Sequence, residues 1–295
     1  MPSPHIATLP ATISTTVQSL GSGSSGNSFL ITTPEGTVMI DCGVGIRTIT
    51  KALRERQMTI TDIDAICITH EHSDHIRTLP KVIHAEAELY ATGGTAIRSA
   101  LPRMQHTCAT AENPVTICGL TIWPLPVSHD ALEPCGFMAE LPDGSRITML
   151  TDLGIWSDSL RDFVRASDLI ILEANHDEEM LRYGPYPAYL KRRVASDVGH
   201  LSNRHCGLAL GEALRGTSHE PAIWLAHLSE HNNRPDLAEE TVRTELRRND
   251  LDLDVRALPR KSPGDIWTPA RRTGRRATFE RAPVVKAEQL GFDLL

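Results

Sequence analysis

The chain has 295 residues, of which 40% are hydrophobic, and it carries a formal net charge of -7. This length allows one large hydrophobic core or two smaller ones. The acidic balance excludes a basic surface over the whole molecule, so any contact with nucleic acid has to rest on local basic patches.

The cysteine pattern and the hydropathy pattern indicate the cellular compartment. The six cysteines occur singly, without a CxxC pair, at positions 42, 67, 108, 118, 135 and 206. Such spacing is typical of reduced thiols rather than of a disulfide framework. The N-terminus has no basic segment followed by an apolar one, and no run of about 18 apolar residues occurs. We therefore expect a cytoplasmic protein with no membrane span.

The first predicted elements flank a loop of small residues. Residues 1–16 are rich in Pro, Thr, Ser and Ala, and we interpret them as a loose leader. Strands are predicted at 17–20 and 29–32, and the segment 21–28 between them reads GSGSSGNS. That segment is either a hairpin turn or a loop where a ligand approaches backbone N–H groups, with Ser25 and Asn27 as candidate substrate contacts. It lacks the GxxxxGK(S/T) pattern of a P-loop.

The later elements alternate between strands and helices. Such alternation predicts an α/β (α+β) protein with mixed sheets and helices packed against them. We assign residues 17–260 to this domain and the basic residues 261–295 to a C-terminal extension that is partly disordered. The predicted strands lie at 37–40, 63–69, 89–91, 115–117, 120–125, 135–141, 147–150, 169–172, 222–226 and 253–257, and the predicted helices at 46–56, from 77, from 94, at 203–214 and at 236–248.

A cluster of metal-ligand side chains follows the strand predicted at 63–69. The residues from Thr69 to His75 read THEHSDH and hold three histidines and two carboxylates. In an extended loop His70 and His72 can face the same way, while Asp74 and His75 can turn toward a second point. This arrangement suits half of a dinuclear metal site.

Single ligand-type residues follow three later strands. His129, Asp152 and His227 each occur where a predicted strand ends and a loop begins. If these strand ends lie on one side of the sheets, they complete two metal sites. One site would hold His70, His72 and His129, the other Asp74, His75 and His227, and Asp152 would bridge the two.

These ligand types also predict the chemistry. Histidine and aspartate suit zinc, manganese or iron, so we expect two divalent ions, with zinc or manganese ahead of iron. Two such ions lower the pKa of a bridging water so that hydroxide is available at neutral pH, which predicts a hydrolase. Asp41, at the end of a neighbouring strand, is either an outer partner that orients a histidine or the ligand loop, or a turn cap.

The HxHxDH motif, followed by single His, Asp and His residues at strand ends, resembles the metallo-β-lactamase fold superfamily from about residue 17 to 260. Further phrases resemble its YycJ (WalJ) branch, whose members are associated with 5′-to-3′ exonuclease activity on DNA. The resemblance implies a four-layer αβ/βα sandwich with the metals at the edge between two sheets. It also implies that Asp74 is both a metal ligand and a proton acceptor or donor. The phrases are GSGSSGNS at 21–28, SHDA at 128–131, LEANHD at 172–177, GHLSN at 199–203 and HLSEHNN at 227–233.

The segment 183–203 offers candidate substrate contacts. Three of the four tyrosines precede the triplet Lys191-Arg192-Arg193, which combines stacking surfaces with charge for phosphates. Charged triplets are otherwise solvated helix faces, so both interpretations stay open. His200 is a candidate catalytic contact to a phosphate or leaving group. The candidate substrate-binding residues in or near this segment are His176, Lys191, Arg192 and Asn203. The basic residues of the C-terminal stretch would either hold DNA or belong to a disordered tail.

The most concrete functional prediction is a dinuclear metal-dependent phosphodiesterase that acts on DNA. One alternative is a hydrolase of a small ester, thioester, lactone or cyclic nucleotide. Another is a mononuclear iron sulfur dioxygenase or a diiron protein of the same fold. Diiron relatives typically carry Glu where this chain has His72, which favours hydrolysis. A non-catalytic binding module fits poorly with a complete ligand set, and the sequence leaves the oligomeric state open.

Overall fold

A computed structural model describes residues 14–99, 106–108 and 114–270. The strands in these residues are β1 (Thr16–Gly21), β2 (Ser28–Thr33), β3 (Gly36–Ile40), β4 (Ala65–Cys67), β5 (Glu88–Ala91), β6 (His106–Cys108), β7 (Val115–Ile117), β8 (Leu120–Pro126), β9 (Cys135–Glu140), β10 (Arg146–Leu150), β11 (Leu169–Glu173), β12 (Ala222–Ala226), β13 (Val255–Ala257) and β14 (Ile266–Trp267). The helices are α1 (Ile46–Glu55), α2 (Ser73–Ile76), α3 (Leu79–Val82), α4 (Gly93–Arg98), α5 (Arg161–Ala166), α6 (Glu178–Tyr183), α7 (Ala188–Val194), α8 (Asn203–Leu214) and α9 (Pro235–Arg247).

The strands form two seven-stranded sheets with the same internal plan. The first sheet has the order β14-β1-β2-β3-β4-β5-β6, and the second has the order β13-β12-β11-β10-β9-β8-β7. From β14 to β3 and from β7 to β10 neighbouring strands are antiparallel. From β3 to β6 and from β10 to β13 they are parallel. Parallel strands end at the same edge of a sheet, so the loops that follow them gather there.

The buried strands divide their side chains between two cores. In β2, Phe29 and Ile31 pack between the two sheets, whereas Leu30 packs with Ile49 and Leu53 of α1. Successive side chains point to opposite faces of a strand, so a strand buried on both faces is apolar throughout. Burying each such side chain stabilises the fold by about 1.5 to 3 kcal/mol.

The outer face of the second sheet has its own core. Ile170 and Leu172 of β11 pack there with Phe163 of α5, Leu210 of α8 and Val242 of α9. The layers therefore run helix, sheet, sheet, helix. This architecture confirms the predicted four-layer αβ/βα sandwich of two mixed sheets.

Several predicted elements have the observed bounds, and the differences are local. The helix α8 and the strands β7 and β12 begin and end at the predicted residues. The single helix predicted from residue 77 is wrong, because the chain forms two four-residue helices, α2 and α3, the second of which has a proline in its first turn. The short strands β6 and β14 were not predicted, since two or three residues show no periodicity.

The C-terminal part of the described chain returns to the first sheet. Trp267 and Ile266 of β14 pair with Val17 and Gln18 of β1, so this sheet extends beyond residue 260. The predicted leader, apart from residues 14–16, and the arginines at 271, 272, 275, 276 and 281 lie outside the described residues.

The cysteines and the helices can be compared with the expectations of reduced thiols and of no membrane span. Free thiols are found at Cys42, Cys67, Cys118, Cys135 and Cys206. In the part of the chain that the structure describes, every helix is too short or too polar to cross a membrane.

Candidate metal centre

The first sheet presents four candidate ligands in one short segment after β4: His70 and His72 lie in the loop, and Asp74 and His75 lie in α2. Asp41, which follows β3, holds this loop: its carboxylate accepts hydrogen bonds from the Thr69 N–H at 2.9 Å and the Thr69 hydroxyl at 2.8 Å. The same carboxylate lies 2.7 Å from Nδ1 of His75. A carboxylate is an acceptor only, so His75 donates from Nδ1 and leaves Nε2 for another partner. Asp41 thus has the geometry of an orienting partner, as one of its two interpretations proposed.

The second sheet presents one residue after each of several strands. His129 follows β8, Asp152 follows β10 and His227 follows β12. Asp152 and His227 have φ angles of 57° and 54°, and Asp41 in the first sheet has a φ of 55°. Left-handed backbone at a non-glycine residue costs about 1 to 3 kcal/mol and is concentrated at functional sites.

The predicted residues converge in two groups. In each group the potential ligand atoms lie within 4.8 Å of one another. One group contains His70, His72 and His129, and the other contains Asp74, His75 and His227. Asp152 forms a further group with His70 and His75, one residue from each of the first two. A fourth group joins Asp152 and His227 with Glu173 and His200. The structure therefore brings all seven predicted ligands together and adds Glu173 and His200 to the cluster.

Individual distances describe how closely these side chains approach. Nε2 of His129 lies 3.2 Å from Nδ1 of His72. Asp74 Oδ2 lies 3.4 Å from Nε2 of His227 and 3.6 Å from Nε2 of His75. The Oδ2 atom of Asp152 is 3.1 Å from His75 Nε2. Nitrogen lone pairs and carboxylate oxygens thus face a shared space.

Burial gives the cluster unusual electrostatics. Burial lowers the pKa of His70 well below its usual range and lowers the pKa of His129 as well, so both rings are neutral near pH 7. Burial raises the pKa of Asp152, but His227 and His75 outweigh it and hold that pKa well below the ordinary value. Burial lowers the pKa of His227, yet Asp152 and Asp74 raise it well above its ordinary value. The carboxylates therefore favour positive charge in this space.

Glu173 is a further buried carboxylate at this edge. It ends β11, is 0% exposed and accepts hydrogen bonds from Nδ1 of His227 at 2.7 Å and Nδ1 of His200 at 2.9 Å. Its other oxygen accepts from the N–H of Leu153 at 3.0 Å. Glu173 thus orients two histidines at once. Its position at a strand end is the signal that could have identified it from sequence.

The donor set fits divalent metal ions. Nε2 of His70 is buried and makes no hydrogen bond within the described residues, and Oδ2 of Asp152, also buried, faces Nε2 of His75 at 3.1 Å. Leaving a buried atom such as His70 Nε2 without a partner costs about 1 to 3 kcal/mol, and a coordinated cation would satisfy it. Neutral imidazoles and carboxylates are ligands for zinc, manganese and iron. A metal ion would also supply the positive charge that the buried carboxylates favour.

A cavity of about 210 Å³ opens over this cluster. His72, Asp74, Asp152, His200 and other ligand-type residues form its floor, and the part of the chain from 186 to 194 forms one wall. His200 lines it as predicted. Three lining residues, Ser24, Tyr186 and Arg193, were not among the predicted site residues, although the segments around them were.

Arg193 is the basic side chain at the mouth of this cavity. It donates from Nε and Nη2 to the Asp130 carboxylate, at 2.6 Å and 3.0 Å. Asp130 Oδ1 in turn lies 3.4 Å from Nε2 of His129. The guanidinium is thus held close to the ligand cluster by a bidentate ion pair.

Other predicted substrate contacts lie elsewhere, and their roles stay predictions. Lys191 donates to the backbone carbonyl of Arg182. Arg192 does not line the metal-ligand cavity. Asn203 is 1% exposed and exchanges hydrogen bonds with the Asn233 amide. Ser25 is exposed, and its carbonyl accepts from Arg77.

Asn27 and His176 are both buried, but in different places. The amide Nδ2 of Asn27 lies 3.1 Å from Nε2 of His75 and 3.5 Å from Oδ2 of Asp74. This side chain therefore packs directly against the ligand cluster. His176 does not line the metal-ligand cavity. It lines a second cavity, on the other side of His200.

Comparisons with known proteins agree with this fold. A family model described as the β-lactamase superfamily domain matches residues 37–218. The chain is 33% identical to the exodeoxyribonuclease YycJ of Bacillus anthracis over 229 residues, which cover 76% of this chain and 86% of that protein. It is 35% identical to the exodeoxyribonuclease WalJ of Streptococcus pneumoniae over 258 residues, which cover 85% and 95% of the two chains. The chain belongs to the metallo-β-lactamase superfamily, in the YycJ/WalJ branch.

A solved structure supports the fold of this superfamily member. The metallo-β-lactamase fold protein YhfI from Bacillus subtilis matches with a TM-score of 0.65 at 18% identity, over 87% of this chain and 100% of that chain. Membership in the superfamily, together with the candidate ligand groups, identifies the chain as a metal-dependent hydrolase.

Proposed function

We propose that this protein is a dinuclear metal-dependent phosphodiesterase that degrades DNA from 5′ ends. The observation that carries the proposal is the convergence of two ligand groups on one cavity, with Asp152 between them. Two ligand groups that share a carboxylate suit a pair of ions, which is the arrangement used for phosphodiester hydrolysis. The names of YycJ and WalJ, both exodeoxyribonucleases, support DNA as the substrate.

The metal ions would be held by His70, His72 and His129 on one side and by Asp74, His75 and His227 on the other, with Asp152 shared. Bound divalent ions supply a lowered pKa for water and polarise the phosphoryl oxygen. Zinc or manganese suits these ligands best, and iron is a further option.

Three residues of the chain would act directly on substrate. Asp74 is 22% exposed at the side chain and lies in the cavity floor, where a carboxylate can accept a proton from the attacking water. His200 binds Glu173 through Nδ1, so its Nε2 is available to hold a proton for the leaving oxygen. Arg193 would exchange Asp130 for a substrate phosphate, since a guanidinium binds both anions in the same bidentate manner.

Three basic residues near the C-terminal end of the described chain, Arg256, Arg260 and Lys261, already have partners within the protein, so they give little support to a DNA-binding surface there. Arg256 pairs with Asp254 and Asp265, and Lys261 pairs with Glu230. Arg260 donates to backbone carbonyls of Leu228 and Asn233. The free thiols suit a cytoplasmic location, where a DNA substrate is available.

One preparation can test the proposal against its alternatives. Metal content is measured on purified protein, and the same sample is assayed on duplex DNA labelled at either the 5′ or the 3′ end, on bis(p-nitrophenyl) phosphate and on a panel of esters, thioesters and lactones. We expect two metal ions per chain, release of nucleotides from 5′ ends, and loss of both phosphodiesterase activities in Asp74→Ala. DNA trimming that persists unchanged in Asp74→Ala would refute the assignment.

The alternatives give distinct results in the same experiment. Turnover of esters or lactones without turnover of DNA would favour a small-molecule hydrolase. A single iron per chain with oxygen consumption on sulfur substrates would favour a dioxygenase. The position of Arg193 at the cavity mouth favours an anionic substrate over a neutral ester.

A further inference from the structure

A second cavity lies on the opposite side of His200 from the metal-ligand cavity. Its volume is about 460 Å³, against about 210 Å³ for the first. Small-molecule sites typically measure about 300 to 1,000 Å³. The loop that follows Asp152 and the segment before His200 are held together, because the Ser128 hydroxyl donates to the Asp197 carbonyl at 2.7 Å and the Gly154 N–H donates to the Ser128 carbonyl at 2.9 Å. His200 lines both cavities, so their contents are neighbours.

The walls of the second cavity combine apolar surface with unused polar groups. Ile155, Trp156 and Leu208 supply the apolar surface, and Ile155 and Leu208 are 50% and 40% exposed at its mouth. The indole Nε1 of Trp156 and Nδ1 of His176 are buried and lack hydrogen-bond partners within the described residues. His176 as a whole is only 4% exposed. A buried donor and a buried ring nitrogen left unpaired are rare in folded proteins, and both belong to residues that line this cavity.

The charge of the second cavity disfavours a phosphate as its occupant. Asp197, Glu178 and Glu212 line it together with His205, and among the described residues no arginine or lysine does, although Glu212 pairs with Arg161 outside the lining. Glu178 accepts from the Ser202 hydroxyl at 2.9 Å, which leaves acceptor capacity on the carboxylate. The metal-ligand cavity, in contrast, has Arg193 at its mouth. The metal-ligand cavity therefore suits anionic groups, and the second cavity suits neutral, planar groups that form hydrogen bonds.

From this separation we infer that the second cavity is a nucleobase subsite, which holds a base of the nucleic-acid substrate while a neighbouring phosphate occupies the metal-ligand cavity. The inference rests on the proposed function for its polymer substrate. A nucleobase offers a π-face for Trp156 and an edge of donors and acceptors for His176 and Glu178. Because the two cavities share His200, a base next to the reacting phosphate lies within reach of the second.

Binding measurements on the full-length, metal-loaded protein test this subsite without relying on turnover. Isothermal titration calorimetry compares dAMP with 2-deoxyribose 5-phosphate, which has the same phosphate and sugar but no base. We expect dAMP to bind at least roughly 10-fold more tightly, since stacking of one base on an aromatic side chain contributes that much or more. Equal affinities for the two compounds in the wild type would overturn the inference.

Two substitutions at the exposed mouth fill the cavity. Leu208→Trp and Ile155→Trp change two residues that line the cavity, and both positions are exposed enough to accept a larger side chain. We expect each to abolish the preference for dAMP while 2-deoxyribose 5-phosphate binds as in the wild type, which also reports an intact fold. The matched control is Ile97→Trp, at a position that is 77% exposed and lines neither cavity. Retention of the preference in both cavity variants would overturn the inference.

The outcome is separable from that of the proposed function. Digestion of end-labelled DNA tests the nuclease, whereas the dAMP preference tests the subsite. A protein that digests DNA but binds both compounds equally retains the proposed function and loses the subsite. A protein that prefers dAMP but digests no DNA retains a base-binding cavity and loses the nuclease.

Discussion

The two sheets contribute to one site in different ways. The first sheet delivers His70, His72, Asp74 and His75 in a single segment made of the loop after β4 and helix α2, with Asp41 beside it. The second sheet delivers one side chain per strand end, and these are spread along the chain from residue 129 to residue 227. The first contribution is local and its geometry follows from the loop. The second depends on the order of the strands in this sheet, in which β12, β11 and β10 are neighbours and β9 separates β10 from β8.

Both sheets supply candidate metal ligands, but the buried carboxylates that orient these ligands differ between the two sheets. Each sheet has one buried carboxylate that orients histidines, Asp41 in the first and Glu173 in the second. Asp41 binds one histidine and the backbone of its own loop. Glu173 binds two histidines, of which His200 faces both cavities. In the proposed function, Glu173 of the second sheet therefore links a metal ligand, His227, to a substrate contact, His200.

The largest effect is expected from Asp152→Ala, because Asp152 joins the two ligand groups. Its loss should lower kcat/KM on DNA by more than roughly 100-fold, which is the upper cost of losing a residue that only hydrogen-bonds to a metal ligand. Metal content should fall below one ion per chain. The comparison variant His72→Ala in the first sheet should lose one ion. Asp236→Asn, at an exposed carboxylate of α9, is the control. Full metal content in Asp152→Ala would contradict a shared ligand.

Glycine substitutions test whether both sheets hold their loops by close packing. A Cβ on Gly43 would lie 1.5 Å from the carbonyl oxygen of Asp74, and a Cβ on Gly154 would lie 2.3 Å from that of Asp197. Gly43→Ala and Gly154→Ala should each lower the free energy of unfolding by about 3 kcal/mol. Gly45→Ala, with no atom within 4 Å of its Cβ, should change it little. Urea denaturation provides the measurement. Equal stability of Gly43→Ala and Gly45→Ala would show that the ligand loop can shift.

The two supporting carboxylates can be compared directly. Asp41→Asn and Glu173→Gln should each weaken metal binding by roughly 10- to 100-fold, measured by competition with a chelator. Glu173→Gln should lower kcat further than Asp41→Asn, because it also releases His200. Glu55→Gln, in an exposed pair with Lys51, is the control. If kcat falls equally in both variants, His200 has no separate catalytic part.

The smallest effect is expected at the cavity mouth. Arg193→Ala should raise KM for DNA by roughly 10-fold with little change in metal content, since it removes a charged hydrogen bond to substrate. Lys191→Ala, on the same helix but bonded to the Arg182 carbonyl, should leave KM near the wild-type value. Steady-state kinetics at low salt measure both. The reverse order of effects would favour the exposed face of α7 as the DNA contact.

The predictable parts of the molecule are those whose signal is local. Strands such as β11 and β12 are recognisable because they are apolar on both faces, and α8 because a serine N-cap precedes it. The motif from His70 to His75 identified its own ligands for the same reason. Glu173, Tyr186 and Arg193 were harder, because their importance comes from partners more than 25 residues away, such as His200 for Glu173 and Asp130 for Arg193.

By itself, the sequence determined the kinds of ligand and the strand ends at which they occur, since hydrophobic periodicity and residue chemistry are properties of short segments. The tertiary structure alone decided which of those strand ends meet. The parallel order of β10, β11 and β12 aligns Asp152, Glu173 and His227 at one edge, opposite the loop of the first sheet. It also decided that Arg193 faces the metal-ligand cavity while Lys191 and Arg192 do not, because a helix presents only one face to a site.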